Sequence, residues 1–209
     1  MPGKNRRLCS LALLASVCGH AEVIDRIAVS VGKQVITESQ IVEEIQVTAF
    51  LNRQPVTITP DEKRQAAERL VEQTLMRRDM EFTHYPLPAL SEGDAELRAQ
   101  QASSEDLRKY GITEDELRQH LWWQLTMLRF IDYRFRPAIQ ITDAEIRDYY
   151  SKKRAEWEQE GAAKIPSLEE SRADVEKILT AERVDQAVDR WLGDARTRLD
   201  IQYHEEAFR

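Results

Sequence analysis

Five times along this chain a Ser or Thr is followed three residues later by Glu or Gln, just ahead of a stretch with helical apolar spacing. The pairs are Thr37 and Gln40, Thr59 and Glu62, Thr113 and Glu116, Thr142 and Glu145, and Ser167 and Glu170. This is the spacing of a capping box, in which the hydroxyl and the N3 side chain satisfy each other's free backbone N–H groups. Such repeated start signals predict a mainly α-helical chain. Pro60 at the first helical position strengthens the second start, and that helix carries Ala67, Leu70, Val71 and Leu75 inward. It reaches about His84 before Pro86 and Pro88 end it. Ser91-Glu92-Gly93-Asp94 predicts a short polar helix, and Ser103/Ser104 another, closed by Gly111 as a left-handed cap. The helix from Thr113 must stop before Pro137, and the one from Ser167 runs to about Leu199.

Ahead of the first box the period changes from 3.6 to 2. Ile27, Val29 and Val31 alternate with Ala28 and Ser30, which predicts a strand with Ile27, Val29 and Val31 on its buried face. Gly32-Lys33 suits a two-residue turn with Gly at its first central position. Gln34 to Ile36 is the return strand, and Ile201-Gln202-Tyr203 reads as a closing strand. On the helix that follows the hairpin, Ile41, Ile45 and Thr48/Ala49 share one face.

The N-terminus reads as an export signal. Lys4, Arg6 and Arg7 precede an apolar run from Leu8 to Cys18, and Gly19-His20-Ala21 places small residues before a cleavage point. The run is shorter than the roughly 20 residues a membrane span needs. A lipoprotein signal ending at Cys18 is the alternative, although Val17 suits it poorly. Cleavage after Ala21 would remove Cys9 and Cys18, leaving no disulfide and no thiolate. Taking Lys4, Arg6 and Arg7 from 30 basic residues leaves 27 against 37 acidic ones, a net charge of −10. That balance argues against nucleic acid or an anionic membrane as partner. The expectation is a periplasmic protein divided into a signal peptide (1–21), a main domain (22–157), a linker (158–166) and a long helix and strand returning to the core (167–209).

Two helices carry unusual patterns. On the helix from Thr113, Leu117, Leu121, Leu125, Leu128 and Phe135 occupy one side. Trp122, Trp123, Met127, Phe130 and Tyr133 cover most of the other. A helix apolar all round is expected to be buried on every side, as a central post. The functional alternative is that Trp122, Trp123, Met127, Phe130 and Tyr133 line an apolar groove for client peptides, since aromatics and Met suit adaptable binding. In the last helix, Leu168, Val175 and Leu179 share one side, while Val184, Val188, Trp191, Ala195 and Leu199 share nearly the opposite. Either its halves meet different bodies, a second subunit among them, or it bends near Ala181.

No residue pattern here announces catalysis. His84 and His120 read as solvated positions, and His204 is distant from both in sequence. Paired carboxylates, Ser-His arrangements, phosphate-cradling Gly loops and metal-ligand spacings are missing, so no cofactor or metal is expected. Three segments instead carry a resemblance: Ile27 to Ser39, Gly111-Ile112-Thr113-Glu114-Asp115-Glu116-Leu117-Arg118, and Ile141-Thr142-Asp143-Ala144-Glu145-Ile146-Arg147-Asp148-Tyr149-Tyr150. In this order and spacing they resemble the N-terminal chaperone domain of the SurA family of periplasmic chaperones. The resemblance implies a helical domain with a small hairpin that Ile201–Tyr203 would complete. It implies ATP-independent holding of unfolded outer-membrane or secreted proteins. In that family a parvulin prolyl-isomerase domain normally follows the segment like Ile141–Trp157. Here Glu158-Gln159-Glu160-Gly161 and the last helix follow directly, so a non-enzymatic chaperone is the expectation. Residual isomerase activity, or a role as an assembly or dimerisation subunit through the last helix, are the other readings.

Overall fold

The computed structural model describes residues 25–161 and 164–209; the signal-peptide reading of residues 1–21 lies outside them. The elements in order are strands β1 (Ile27–Val31) and β2 (Gln34–Thr37), then helices α1 (Glu38–Leu51), α2 (Pro60–Phe82), α3 (Ser91–Gln100), α4 (Ser104–Tyr110) and α5 (Glu114–Phe135). Helices α6 (Asp143–Gln159) and α7 (Leu168–Thr197) follow, then strand β3 (Ile201–Tyr203). Short 3₁₀ turns cover Arg136–Ala138 and Glu205–Phe208. The protein is mainly helical with one small antiparallel sheet.

All five capping boxes form with both bonds in place. At α6, for example, Thr142 N–H donates to Glu145 Oε2 at 2.8 Å and Glu145 N–H donates to Thr142 Oγ1 at 3.3 Å. The backbone donor at Thr142 is also the main reason the Glu145 carboxyl sits below its ordinary pKa. Ser103 caps α4, and Gly111 closes it at φ +73°. Helix α3 differs: its cap position is Leu90, which makes no side-chain bond. Packing sets this helix instead. A Cβ built on Gly93 would lie 2.9 Å from Trp122 Cβ and 3.2 Å from the Arg118 carbonyl, both on α5. Only glycine allows that approach.

Gly32 (φ +59°) and Lys33 make the two-residue turn, and Val31 pairs with Gln34 across it. The alternation in β1 is corrected by a bulge. Ile27 pairs with Thr37 and Val29 with Ile36, so Ala28 is an extra residue on β1. Ala28 and Val29 are therefore both fully buried, and Ile27 is 43 % exposed. Strand β3 pairs antiparallel with β1, Val29 facing Tyr203 and Val31 facing Ile201, which gives the order β2-β1-β3.

The main core joins this sheet to α1, α2, α5, the second half of α7 and the C-terminal Phe208. A smaller cluster gathers Val47, Leu107, Ile112, Leu117 and Leu121 around α4. Helix α5 serves both, and this corrects the expectation of all-round burial. Leu117 and Leu121 enter the small cluster, Phe130 and Phe135 the main core. Leu128 and Tyr133 are left 59 % and 62 % exposed. At 100° per residue Leu128 lies on the Leu117 side, but the small cluster has ended before it.

Helix α7 changes face because its two halves have different neighbours within the chain. Its first half packs on α6, and the pair is tied by Arg172 to Asp143 at 2.8 Å and Arg183 to Glu145. Tyr150 Oη also donates to the Pro166 carbonyl at 2.7 Å, just ahead of α7. Its second half buries Val184, Val188 and Leu192 in the main core.

The C-terminal turn is fastened from below. Lys63, 8 % exposed, donates from Nζ to Glu38 at 2.7 Å and to the carbonyls of Ala207 and Arg209 at 3.1 and 3.3 Å. Tyr203 Oη donates to Glu68 at 2.6 Å. Burial, with that bond second, pushes the Tyr203 hydroxyl up to about 12.

Candidate functional site: a cleft beside the sheet edge

A cleft of about 460 Å³ opens where four elements meet. Strand β2 supplies Gln34, Val35 and Ile36, and α1 supplies Gln40, Glu43, Glu44 and Val47. The opposite wall is Leu70, Gln73, Thr74 and Arg77 of α2, with Gln119, His120, Trp123 and Met127 of α5. The α5 residues share one stripe because 119, 120, 123 and 127 follow helical spacing.

Of the five residues expected to bind peptide, the structure places two in the cleft, Trp123 and Met127. Trp122 is 8 % exposed; its Nε1 donates to the Ala89 carbonyl at 3.2 Å and its ring meets Trp123 edge-on at 4.7 Å. Phe130 has no exposure and stacks edge-to-face with Tyr85 at 5.1 Å. Tyr133 is exposed beside Tyr85, outside the cleft lining. At 100° per residue Trp122 points about 100° away from Trp123, whereas Phe130 points within about 20° of Trp123 but lies two turns further along α5, inside the main core. The groove is also less apolar than expected, since amide and charged side chains share it with Trp123 and Met127.

His120 overturns the solvated reading. Its side chain is 21 % exposed, with Nδ1 3.5 Å from the buried Glu44 carboxylate. Arg69 Nε donates to the other Glu44 oxygen at 2.8 Å, so one buried carboxylate links α1, α2 and α5. Burial lowers the His120 pKa from 6.5, although Glu44 pulls the other way. A histidine whose folded pKa is depressed binds its proton more readily when unfolded. Its contribution is thus complete above about pH 6.5 and is lost as pH falls through the lowered value. Glu43 has the opposite sign: burial first, then repulsion from Glu116 and Glu44, raise it, so its contribution is lost as pH rises through the raised value. His120→Gln is therefore expected to flatten the fall of Tm below pH 6.5 without touching the Glu43 limb; an unchanged pH profile of Tm would contradict this burial.

Arg77 forms the other charged feature. Its guanidinium lies 3.9 Å from the Trp123 ring centroid, a cation–π contact that pre-positions both side chains. Its Nε is buried with no hydrogen-bond partner.

The chain matches no family model and no curated protein. The cleft therefore has to be read on its chemistry.

That chemistry offers a flat aromatic, a flexible thioether and four glutamines (34, 40, 73 and 119). Glutamine amides can both donate to and accept from a polypeptide backbone, whatever its sequence. Among the described residues no group of three or more His, Cys, Asp or Glu is placed to hold a metal ion, and no helix is long and apolar enough to cross a membrane. His84 is exposed at the end of α2 with φ +52°, and His204 contacts Ser30 at 3.1 Å, so the histidines do not converge. Sequence spacing on α5 carried a signal for Gln119 and His120, which sit one turn before Trp123. Nothing in the sequence pointed to Val35, Glu43, Gln73 or Arg77, which come from three other elements.

Proposed function

We propose that this protein is an ATP-independent chaperone of the cell envelope that reversibly holds unfolded polypeptide, built on a domain like the N-terminal domain of the SurA family. One observation carries the reading: a cleft of about 460 Å³ that pairs Trp123 and Met127 with amide side chains from β2, α1, α2 and α5. The aromatic and thioether groups give sequence-tolerant apolar contact. The amides meet the backbone that every client shares. Several weak contacts of this kind allow clients to leave without nucleotide hydrolysis. The resemblance of residues 27–39, 111–118 and 141–150 to that family supports the same reading, and the export signal expected over residues 1–21 supports a periplasmic setting. On this reading the protein binds and does not catalyse.

The test is dilution of a urea-denatured outer-membrane β-barrel protein, with aggregation followed by light scattering. Stoichiometric protein is expected to suppress aggregation, and Trp123→Ala with Met127→Ala to weaken suppression while leaving the fold intact. No suppression by the wild-type chain would sink the proposal. Acceleration of prolyl isomerisation in a peptide assay would replace it with an enzymatic one.

A further inference from the structure

The rim of the cleft is an open sheet edge. In the order β2-β1-β3, no strand among the described residues lies beyond β2. The two-residue turn closes on the pair Val31 and Gln34, whose backbone groups face each other. Antiparallel pairs alternate, so at the next position the N–H and C=O of Val35 point away from β1. Val35 is 49 % exposed and lines the cleft. The edge ends two residues on, where the Thr37 N–H is taken by Gln40 Oε1 at 3.0 Å. One backbone donor–acceptor pair thus faces the cleft, enough to start an added strand but too little to template a sheet.

Across the cleft stands Arg77. It lies against Trp123 at 3.9 Å, and its buried Nε has no acceptor. The acid it senses most is Glu81, one turn further along α2. Among the described residues it makes no ion pair and no side-chain hydrogen bond. Glu44 is not a competitor, because Arg69 and His120 already hold it. A guanidinium held over a ring, with no acceptor among the described residues, is suited to accept a carboxylate in a forked, charge-assisted pair.

We infer that the cleft takes an extended segment of another polypeptide by strand addition to β2 at Val35, with an acidic side chain of that segment paired to Arg77. This names the recognition mode within the chaperone reading and rests on it. Backbone pairing provides sequence tolerance, and the Arg77 contact adds a preference for segments bearing Asp or Glu.

Fluorescence anisotropy of the full chain with a labelled, C-terminally amidated peptide of about ten residues tests it. The peptide alternates Val and Ser and has one central Glu. Replacing that Glu by Gln, or Arg77→Gln in the protein, is each expected to weaken binding about tenfold, and the two together no further. Val35→Pro removes the outward N–H without touching a ladder bond, a position where an edge strand tolerates proline. It should weaken binding similarly with an unchanged circular dichroism spectrum. If that variant fails to fold, N-methylation of alternate amides in the peptide probes the same bond and should abolish binding. Equal affinity for the Glu and Gln peptides overturns the inference, as does a Gln peptide with a free C-terminus binding as well as the Glu peptide. Indifference to both Val35→Pro and N-methylation overturns it too, and so does self-association of the chain that displaces the peptide. Aggregation suppression separates the two levels. If it persists while these peptide results fail, only the strand-addition mode falls. If the peptide results hold while wild-type suppression is absent, the chaperone reading falls.

Discussion

Phe130→Ala is expected to cost about 3–5 kcal/mol of stability, a large share of the roughly 5–15 kcal/mol a domain possesses. Phe130 is the largest fully buried side chain, sits in the main core and meets Tyr85 edge-on at 5.1 Å. Deleting its ring removes the transfer energy and leaves a cavity that α2, α5 and the sheet cannot easily close, because several elements hold it open at once. Urea unfolding followed by circular dichroism measures the loss. The same variant decides what kind of residue Phe130 is. With no exposed surface it cannot touch a client, so peptide affinity per folded molecule should be unchanged. Trp123→Ala should behave in the opposite way, with a small loss of stability and a large loss of binding. A folded Phe130→Ala protein that had lost its affinity would place Phe130 in the site after all.

Removing residues 201–209 is expected to abolish cooperative unfolding. The segment supplies β3, which covers the second edge of β1, and Phe208, which is 3 % exposed in the main core. Loss of the Phe208 side chain alone is worth about 3–5 kcal/mol. Deletion also removes the Ala207 and Arg209 oxygens that hold Lys63, leaving Glu38 as its remaining partner. Phe208→Ala and Lys63→Met grade the effect. The first removes packing, and the second removes the charge while keeping the stem. A truncated chain with a sharp, near-native thermal transition would show that β1, β2 and the helices close the core unaided.

The parts of the fold legible in the sequence were those written in local chemistry. Thr59-Pro60-Asp61-Glu62 fixes a helix start through hydrogen bonds that span three residues, so no distant contact is needed to recognise it. Gly32 with φ +59° marks a turn for the same reason. The failures have equally specific causes. A single bulged residue, Ala28, turned Ile27 outward while Val29 and Val31 kept the buried face, because period 2 tolerates no insertion. Leu128 has the pattern of a core residue but sits beyond the end of the small cluster.

The site divides in the same way. Trp123 and Met127 were visible as aromatic and thioether residues on one helix, yet sequence could not separate them from Trp122 and Phe130, a fraction of a turn away. Which stripe of α5 faces a cleft depends on where α1, α2 and β2 lie, and those positions follow from long-range packing. His120 looked solvated because Glu116, Gln119 and Gln124 flank it on its own helix; Glu44 and Arg69, which close over it, arrive from α1 and α2. The sequence by itself determined the helices, the hairpin turn and the charge balance, since each rests on interactions among residues a few positions apart. Only the tertiary structure decided that Val35, Arg77 and Trp123 share one opening, because residues separated by tens of positions are brought together by burying apolar surface and not by any local rule.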